Sequence, residues 1–199
     1  MPTHVALLRG INVGGHNKVP MAELRQVVAS LGHADVATYI QSGNVVFSAA
    51  EADTAGTAGT ADTTALAEAL EQAIAAVLGV SVRVVVVSRD ELAQVMRDSP
   101  YSDEPNPKAV HAVFLSAKPG PEVADRVADA HRRAEQKQPG SRDTAQVIGR
   151  TIFLHTPDGF GRSELAAQIV QGSRGKSDDL VGTARNWATV TKLLAMCDT

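Results

Sequence analysis

The spacing of apolar residues predicts a regular series of elements in the first half of the chain. Short apolar or β-branched runs are typical of buried strands, and apolar residues recurring at three and four positions are typical of helices. Glycine or proline stands at several junctions, where these residues commonly begin or end an element. The predicted elements are a strand at 4–9, a helix from Pro20 to Gly32, strands at 36–41 and 44–47, a helix from Leu66 to Gly79, a strand at 82–87 and a short helix from Ser88 to Met96.

The second half shows a similar pattern with a departure at its end. The predicted elements are a strand at 110–115, a helix from Pro121 to Ala134, strands at 146–148 and 151–155, a helix at 163–170 and a last helix. Thr183 is a suitable N-cap for that last helix, which places Arg185 and Asn186 in its first turn. Because cations in a first turn oppose the helix dipole, this placement hints at an external anion or a carboxylate partner.

The order of these elements predicts the fold class. The first half follows the ferredoxin-like order β-α-β-β-α-β, and the second follows β-α-β-β-α with a helix where a final strand would stand. We predict an α+β protein with two related ferredoxin-like subdomains, in which helices pack on antiparallel or mixed sheets. A single mixed sheet is the alternative. The predicted divisions are an N-terminal subdomain at 1–98 with a mobile insertion at 49–61, a proline-containing linker at 99–108 and a C-terminal subdomain at 109–199.

Composition and charge narrow the classes of function. The formal net charge is −3 and aromatic residues make up 4% of the chain, whereas nucleic-acid surfaces are usually basic and often stack bases on aromatic side chains. Residues 49–107 hold ten Asp/Glu and three Lys/Arg, so the acidity is concentrated there. No apolar run is long enough to span a membrane and the N-terminus lacks a signal-peptide pattern, so we expect a cytoplasmic protein. The histidines and Cys197 show no metal-ligand spacing, and neither a metal nor a cofactor is predicted.

The stretch LLRGINVGGHNKVPMAEL, residues 7–24, is the strongest candidate for a binding site. A connection of this length in a compact fold often has a task. Gly14 and Gly15 allow backbone N–H groups to converge on an oxyanion, and Lys18 adds charge beside the following helix. Arg9 can grip a phosphate or carboxylate, and Asn12 can orient the ligand. The competing interpretation is a rigid loop whose asparagines bond its own backbone.

Five further residues complete the set of candidates. Ser42 and Asn44 lie at the tip of a predicted hairpin, where simple turn chemistry is the competing interpretation. Near the C-terminus, Arg185 would clamp the anion together with the cations of the opening loop. Asn186 would orient the ligand, and Lys192 would add charge on the polar side of the same helix.

Four stretches together resemble the DUF1697 family. They are LLRGINVGGHNKVPMAEL, TYIQSGNVVF, PDGFGRSEL and TARNWATVTKL, in this order between residues 5 and 194. The resemblance implies an α+β protein with ferredoxin-like halves and no particular activity. In two places the chain departs from the family pattern. His16 stands where many relatives carry lysine, and Glu164 stands where lysine often follows GRS, so both replacements weaken a polyanion hypothesis.

Three hypotheses for function follow from these patterns. The first, which we prefer, is that the loop at 9–19 and the helix start near 183–192 form a cleft that binds a small anionic ligand bearing phosphate or carboxylate. The second is a nucleic-acid-binding module, whose affinity would fall steeply with salt. The third is a non-catalytic structural or interaction protein, marked by an exposed apolar patch. The sequence nominates neither a general base nor a nucleophile, so the preferred hypothesis concerns binding alone.

Overall fold

A computed structural model describes residues 1–12, 17–50, 62–172 and 180–199. The chain divides into two compact units, the first comprising residues 1–93 and 192–199 and the second comprising residues 94–191. Residues 51–61, which make up most of the predicted insertion, lie outside the described residues. Within the described ranges, no helix is both long enough and apolar enough to cross a membrane.

The first unit is built around one four-stranded sheet. In chain order, the elements that begin in it are β1 (His4–Leu8), α1 (Met21–Ser30), β2 (Ala34–Tyr39), β3 (Asn44–Ser48), α2 (Thr63–Leu78), β4 (Val84–Ser88) and α3 (Arg89–Arg97). The strands stand in the order β2-β3-β1-β4, and each neighbouring pair is antiparallel. Because β1 lies inside the sheet, its five residues are all buried, which explains their continuous apolar run.

Alternate residues of this sheet form a core with α1 and α2. Ala6, Phe47 and Val86 belong to one buried cluster together with Leu24 of α1 and Leu70 of α2. Successive strand residues point to opposite faces of a sheet, so every second residue reaches the same cluster. The cluster holds α1 against the sheet, and this fixes where the loop after β1 must end.

The second unit repeats this arrangement. Its elements are β5 (Val110–Leu115), α4 (Pro121–Lys137), β6 (Thr144–Ile148), β7 (Thr151–His155), a 3₁₀ turn (Phe160–Arg162), α5 (Glu164–Gly172), β8 (Gly182–Asn186) and the start of α6 (Trp187–Cys197). The strand order is β6-β7-β5-β8, again with antiparallel neighbours. The predicted α+β class with two ferredoxin-like subdomains is confirmed. The alternative of a single mixed sheet is wrong, because the strands form two separate sheets.

The predicted helix start at Thr183 is wrong. Residues Gly182–Asn186 form β8, in which Thr183 pairs with Phe114 and Arg185 with Ala112 of β5. The helix begins only at Trp187. Glycine, alanine and asparagine are poor strand formers, so the local sequence favoured a helix cap, whereas backbone pairing with β5 imposes a strand. The conflict between Arg185 and a helix dipole therefore disappears.

The two units also share the register of their strands. The pairing of β1 with β4 sets His4 opposite Ser88, and the pairing of β5 with β8 sets His111 opposite Asn186. In each unit the residue opposite the histidine caps the next helix. Ser88 and Glu91 form the predicted capping box, with N–H to oxygen distances of 3.1 and 2.8 Å. Asn186 Oδ1 accepts the N–H three residues on at 2.8 Å.

Candidate functional site

The loop that follows β1 is anchored by buried apolar side chains near both of its ends. Ile11 and Val19 expose only 1% and 2% of their surfaces. Gly10, Asn12 and Asn17 have φ angles of +64°, +54° and +49°, a region that glycine and asparagine enter at low cost. The sequence of this loop therefore suits a tightly turned path rather than an extended connection.

The side chain of Asn12 holds the two ends of the loop together. Its Oδ1 accepts the N–H of Val19 at 2.9 Å, and its Nδ2 donates to the carbonyls of Val19 and Gln41 at 3.1 and 2.9 Å. The Asn17 amide donates to the Gly10 carbonyl at 3.2 Å. Both amide hydrogens of Asn12 are used by backbone carbonyls, so this residue shapes the loop, as the competing interpretation states for the asparagines.

The hairpin between β2 and β3 packs under the same loop. Asn44 is fully buried, and its Nδ2 donates to the Tyr39 carbonyl at 2.9 Å and to the Ser42 hydroxyl at 3.0 Å. Gly43 has a φ of +78°, and a Cβ there would lie 2.7 Å from Leu8 Cβ. The Leu8 N–H also donates to the Gly43 carbonyl at 2.8 Å. Ser42 and Asn44 thus build the turn on which the opening loop rests.

An open concavity of about 560 Å³ lies where this loop meets α1. The residues that line it include Asn12, Lys18, Pro20, Met21, Ala22 and Gln41. Lys18 is exposed and makes no ion pair with any described residue. Pro20 precedes α1 in an extended conformation and offers no side-chain cap to the first turn. The concavity therefore combines a lysine with the positively polarised end of a helix.

The predicted site residues of the opening loop and the first hairpin divide into two groups. Arg9, Asn12, Lys18, Ser42 and Asn44 lie in the loop and hairpin just described, and the Arg9 N–H donates to the Arg83 carbonyl at 2.9 Å. Gly14 and Gly15 lie outside the described residues, so their place in the site stays a prediction.

Arg185 occupies a buried position in the second unit. It exposes 8% of its surface, and its guanidinium donates to the Thr183 hydroxyl and the Ala184 carbonyl, both at 2.8 Å. Burial lowers the pKa of Arg185 to about 10, because a guanidinium cation is less favourable away from water. The side chain still carries its charge near neutral pH.

The two remaining candidates have different environments. Asn186, at the end of β8, uses its Oδ1 to cap α6 through the Thr189 N–H. Lys192 lies on α6, is exposed, and belongs to the first unit. Sequence analysis missed Gln41, which lines the concavity and whose backbone carbonyl accepts a hydrogen bond from the Asn12 amide. Its position immediately before the hairpin tip was the available signal, because that tip supports the loop.

A second polar cluster lies in the second unit. His155 Nε2 and Glu104 Oε2 are 2.7 Å apart, and the hydroxyls of Tyr101 and Thr144 are also 2.7 Å apart. The N–H of Asn106 and then the ring of His155 hold the pKa of Glu104 below its ordinary value. These contacts tie residues 101–106 to the sheet. Across the described residues, no group of three His, Cys, Asp or Glu side chains is placed to hold a metal ion.

Comparisons with known proteins agree with this fold. The chain is similar to a solved structure described as that of conserved bacterial protein SP0830 from Streptococcus pneumoniae, with a TM-score of 0.68 and 23% sequence identity over 98% of each chain. This likeness shows a shared fold and does not carry a function. No curated protein matches the chain. The family model described as "Protein of unknown function (DUF1697)" matches residues 1–144. As its sequence blocks indicate, the chain belongs to the DUF1697 family.

Proposed function

We propose that the protein binds a small anionic ligand, bearing phosphate or carboxylate, in the concavity where loop 9–19 meets α1. One observation carries the proposal: Lys18 and the uncapped first turn of α1 line the same concavity. The N–H groups of a first helical turn carry partial positive charge and bind oxyanions readily. Lys18 adds a full positive charge at the same place.

The lining favours an anion over a cation. Among the described residues that line the concavity, none is acidic. Glu23, the acidic residue in the first turn of α1, is exposed and is not among them. Lys18 is therefore the charged side chain among the described lining residues, and its charge has the same sign as the helix end.

The described parts of the loop, residues 9–12 and 17–19, are also held in place by hydrogen bonds and burial. Asn12 joins Val19 and Gln41, and Ile11 and Val19 are buried. A site that is already ordered loses less conformational entropy on binding than a flexible one. We therefore assign Asn12 to the support of the site, and Lys18 and the α1 N–H groups to contact with the anion.

The sequence also predicts a contribution from Arg185, Asn186 and Lys192, and this stays a prediction. Arg185 donates within β8 and Asn186 caps α6, so replacing either one perturbs the local structure. Lys192 is exposed. It is therefore the residue whose replacement can test a contribution from the C-terminal part of the chain.

Isothermal titration calorimetry with pyrophosphate and with citrate tests the proposal. We expect the parent protein to bind at least one of them, and Lys18→Ala to weaken that binding about tenfold, which corresponds to about 1.4 kcal/mol. Lys118→Ala is the matched control, because Lys118 stands three residues before the first residue of α4 as Lys18 does before α1. We expect Lys118→Ala to bind like the parent.

Three results decide between the outcomes. If the parent binds neither anion, or if both lysine variants lose affinity equally, the proposal is wrong. If Lys18→Ala alone loses affinity, the site at α1 is supported. Lys192→Ala tests the wider site separately, because unchanged affinity in that variant excludes a contribution from Lys192. Circular dichroism of each variant checks that the fold is retained.

A further inference from the structure

A separate cavity lies in the second unit, where α4 and α5 pack against the sheet. Its volume is about 90 Å³. The floor is apolar and includes Leu115 of β5, Ile152 of β7 and Ile169 of α5, each exposing 5% or less of its surface. None of these residues belongs to the concavity at α1, so this cavity is a second and independent feature.

The cavity exists because small residues stand where the two helices face each other. Ala130 of α4 and Gly172 at the end of α5 both line it. A larger side chain at position 130 would occupy part of the space. Protein interiors are normally packed as densely as organic crystals, and the apolar part of a cavity accepts an apolar guest.

The charged groups on the described lining are both cationic, and the remaining polar group is a neutral amide. They are Arg126 and Arg133 of α4 and Gln168 of α5, and no described lining residue is acidic. Ala130 is four residues after Arg126 and three before Arg133, so the three residues share one side of α4. Both arginines are exposed. Arg133 makes no ion pair with a described residue, whereas its neighbour Arg132 is paired with Asp129.

We infer that this cavity binds a small anion that carries a short alkyl chain, with the chain between α4 and α5 and the anionic group at Arg133. A cavity of roughly 150 Å³ holds benzene, so the smaller volume here suits an alkyl chain of about four carbons. A carboxylate and a phosphate ester share the required chemistry, since both present oxygens to a guanidinium. This inference does not depend on the proposed site at α1.

Methyl NMR of the full-length protein with pentanoate as the probe tests the inference. We expect saturable shifts in the methyl signals of Val127, Ile152 and Ile169, and none at Ile74 in the core of the first unit. Pentylammonium, which has the same chain and the opposite charge, is expected to bind at least tenfold more weakly. Equal binding of the two probes, or no shift at these methyl groups, overturns the inference.

Three variants distinguish the contribution of the ligand's alkyl chain from that of its charge. Ala130→Leu fills the cavity and should abolish the pentanoate shifts at Ile152 and Ile169. Arg133→Gln should weaken binding about threefold or more, while Arg132→Gln on the same helix should not. Retained binding in Ala130→Leu, or equal effects of the two arginine variants, overturns the inference. Should Ala130→Leu fail to fold, the comparison of probes on the parent chain and the arginine pair still decides the matter.

The two proposed sites are distinguished in the same experiment. Lys18→Ala should leave the pentanoate shifts at Ile152 and Ile169 unchanged. If Lys18→Ala removes them, pentanoate acts through the first unit and the cavity is not its site. Conversely, if Ala130→Leu binds pyrophosphate as the parent does, the proposed site at α1 is independent of the cavity beside Ala130.

Discussion

The two units have the same strand order but connect the first strand to the first helix differently. In the first unit, residues 9–20 separate β1 from α1, and the path is turned back on itself by Asn12. In the second, residues 116–120 suffice between β5 and α4. The longer connection creates the open concavity beside α1. The candidate site therefore comes from a loop added to a shared scaffold, and not from the scaffold itself.

The two helix starts also differ in where their first-turn glutamate lies. Lys18 and Lys118 occupy the same position relative to α1 and α4. In α4, however, the Glu122 carboxylate lies so close to Gly120 that a Cβ on the glycine would clash with it. A carboxylate at a helix N-terminus offsets the dipole, whereas no lining residue of the α1 concavity is acidic among those described. Both helices carry a glutamate in the first turn, Glu23 in α1 and Glu122 in α4. They differ in that Glu122 lies against Gly120, whereas Glu23 is exposed and does not line the concavity.

The largest expected effect distinguishes the two hairpins. Gly43 ends the 40–43 connection of the first hairpin and Gly149 begins the 149–150 connection of the second, with φ angles of +78° and +59°. A Cβ at Gly43 would lie 2.7 Å from Leu8 Cβ and Ile11 Cδ1, whereas a Cβ at Gly149 meets nothing within 4 Å. We expect Gly43→Ala to lower the free energy of unfolding by roughly 2–5 kcal/mol, from left-handed strain plus overpacking.

Gly149→Ala is the matched control for this prediction. It carries the left-handed strain alone, so we expect a loss of about 1 kcal/mol. Urea unfolding followed by circular dichroism gives both values. Equal losses in the two variants would show that the opening loop does not press on the first hairpin.

A second prediction concerns the loop that has no counterpart in the second unit. Asn12→Ala removes three side-chain hydrogen bonds at a residue with positive φ. At about 0.5–1.5 kcal/mol for each bond, we expect the free energy of unfolding to fall by roughly 2–4 kcal/mol. Asn17→Ala, at a residue with similar φ and a single described side-chain bond, should cost less than half as much.

Asn12→Ala also tests the role of Asn12 in the site. If Asn12 only supports the loop, pyrophosphate affinity in Asn12→Ala should fall together with loop order, measured by hydrogen exchange of the Val19 amide. A variant that loses affinity while its Val19 amide stays protected would contradict this and indicate that Asn12 touches the ligand.

The smallest expected effect concerns the equivalent histidines. Burial lowers the pKa of His111 to about 4, and burial is also the largest cause of the lowered pKa of His4. His111 stacks on Phe160 with ring centroids 4.0 Å apart. The folded state therefore binds fewer protons than the unfolded state between the usual histidine pKa of 6.5 and pH 4. Stability is present above pH 6.5 and falls as the pH is lowered through this window.

Urea unfolding between pH 7 and pH 5 measures this effect. A single histidine contributes at most about 1.4 kcal/mol per pH unit, and we expect His111→Leu to reduce the pH dependence below that of the parent. Staying above pH 5 avoids the titration of Glu104, whose pKa is already low. An unchanged pH dependence of stability in His111→Leu would contradict the burial of His111 as its cause. The pH dependence that remains in this variant should decrease further when His4 is replaced.

The contrast between β4 and β8 shows where sequence interpretation reaches its limit. Both strands pair with the first strand of their unit and both precede a capped helix. β4 is VVVVS, which is strongly β-branched, and its position was predicted from sequence. β8 is GTARN, and its position was not predicted, because none of its residues except threonine favours a strand. Arg185 stands where β4 has Val87, so a buried charge replaces a buried aliphatic side chain.

The candidate site was predictable in part. The unusual length of the opening loop, its glycines and asparagines, and Lys18 before a helix are all visible in the sequence. The hydrogen bonds that join Asn12 to Val19 and Gln41 are not visible in the sequence, because Gln41 lies in a hairpin that is distant along the chain. The cavity beside Ala130 was also invisible, since an alanine on an apolar helix face is ordinarily well packed.

The sequence by itself determined the order of most elements, the two hairpins and the capping box at Ser88. These features depend on periodicity and turn chemistry within a few residues, so local interactions are sufficient to specify them. Only the tertiary structure decided that GTARN is a strand, that Asn12 donates a hydrogen bond to a distant hairpin and that a cavity opens beside Ala130. Each of these depends on a backbone edge or a packing surface supplied by a remote part of the chain, and such contacts override local preference.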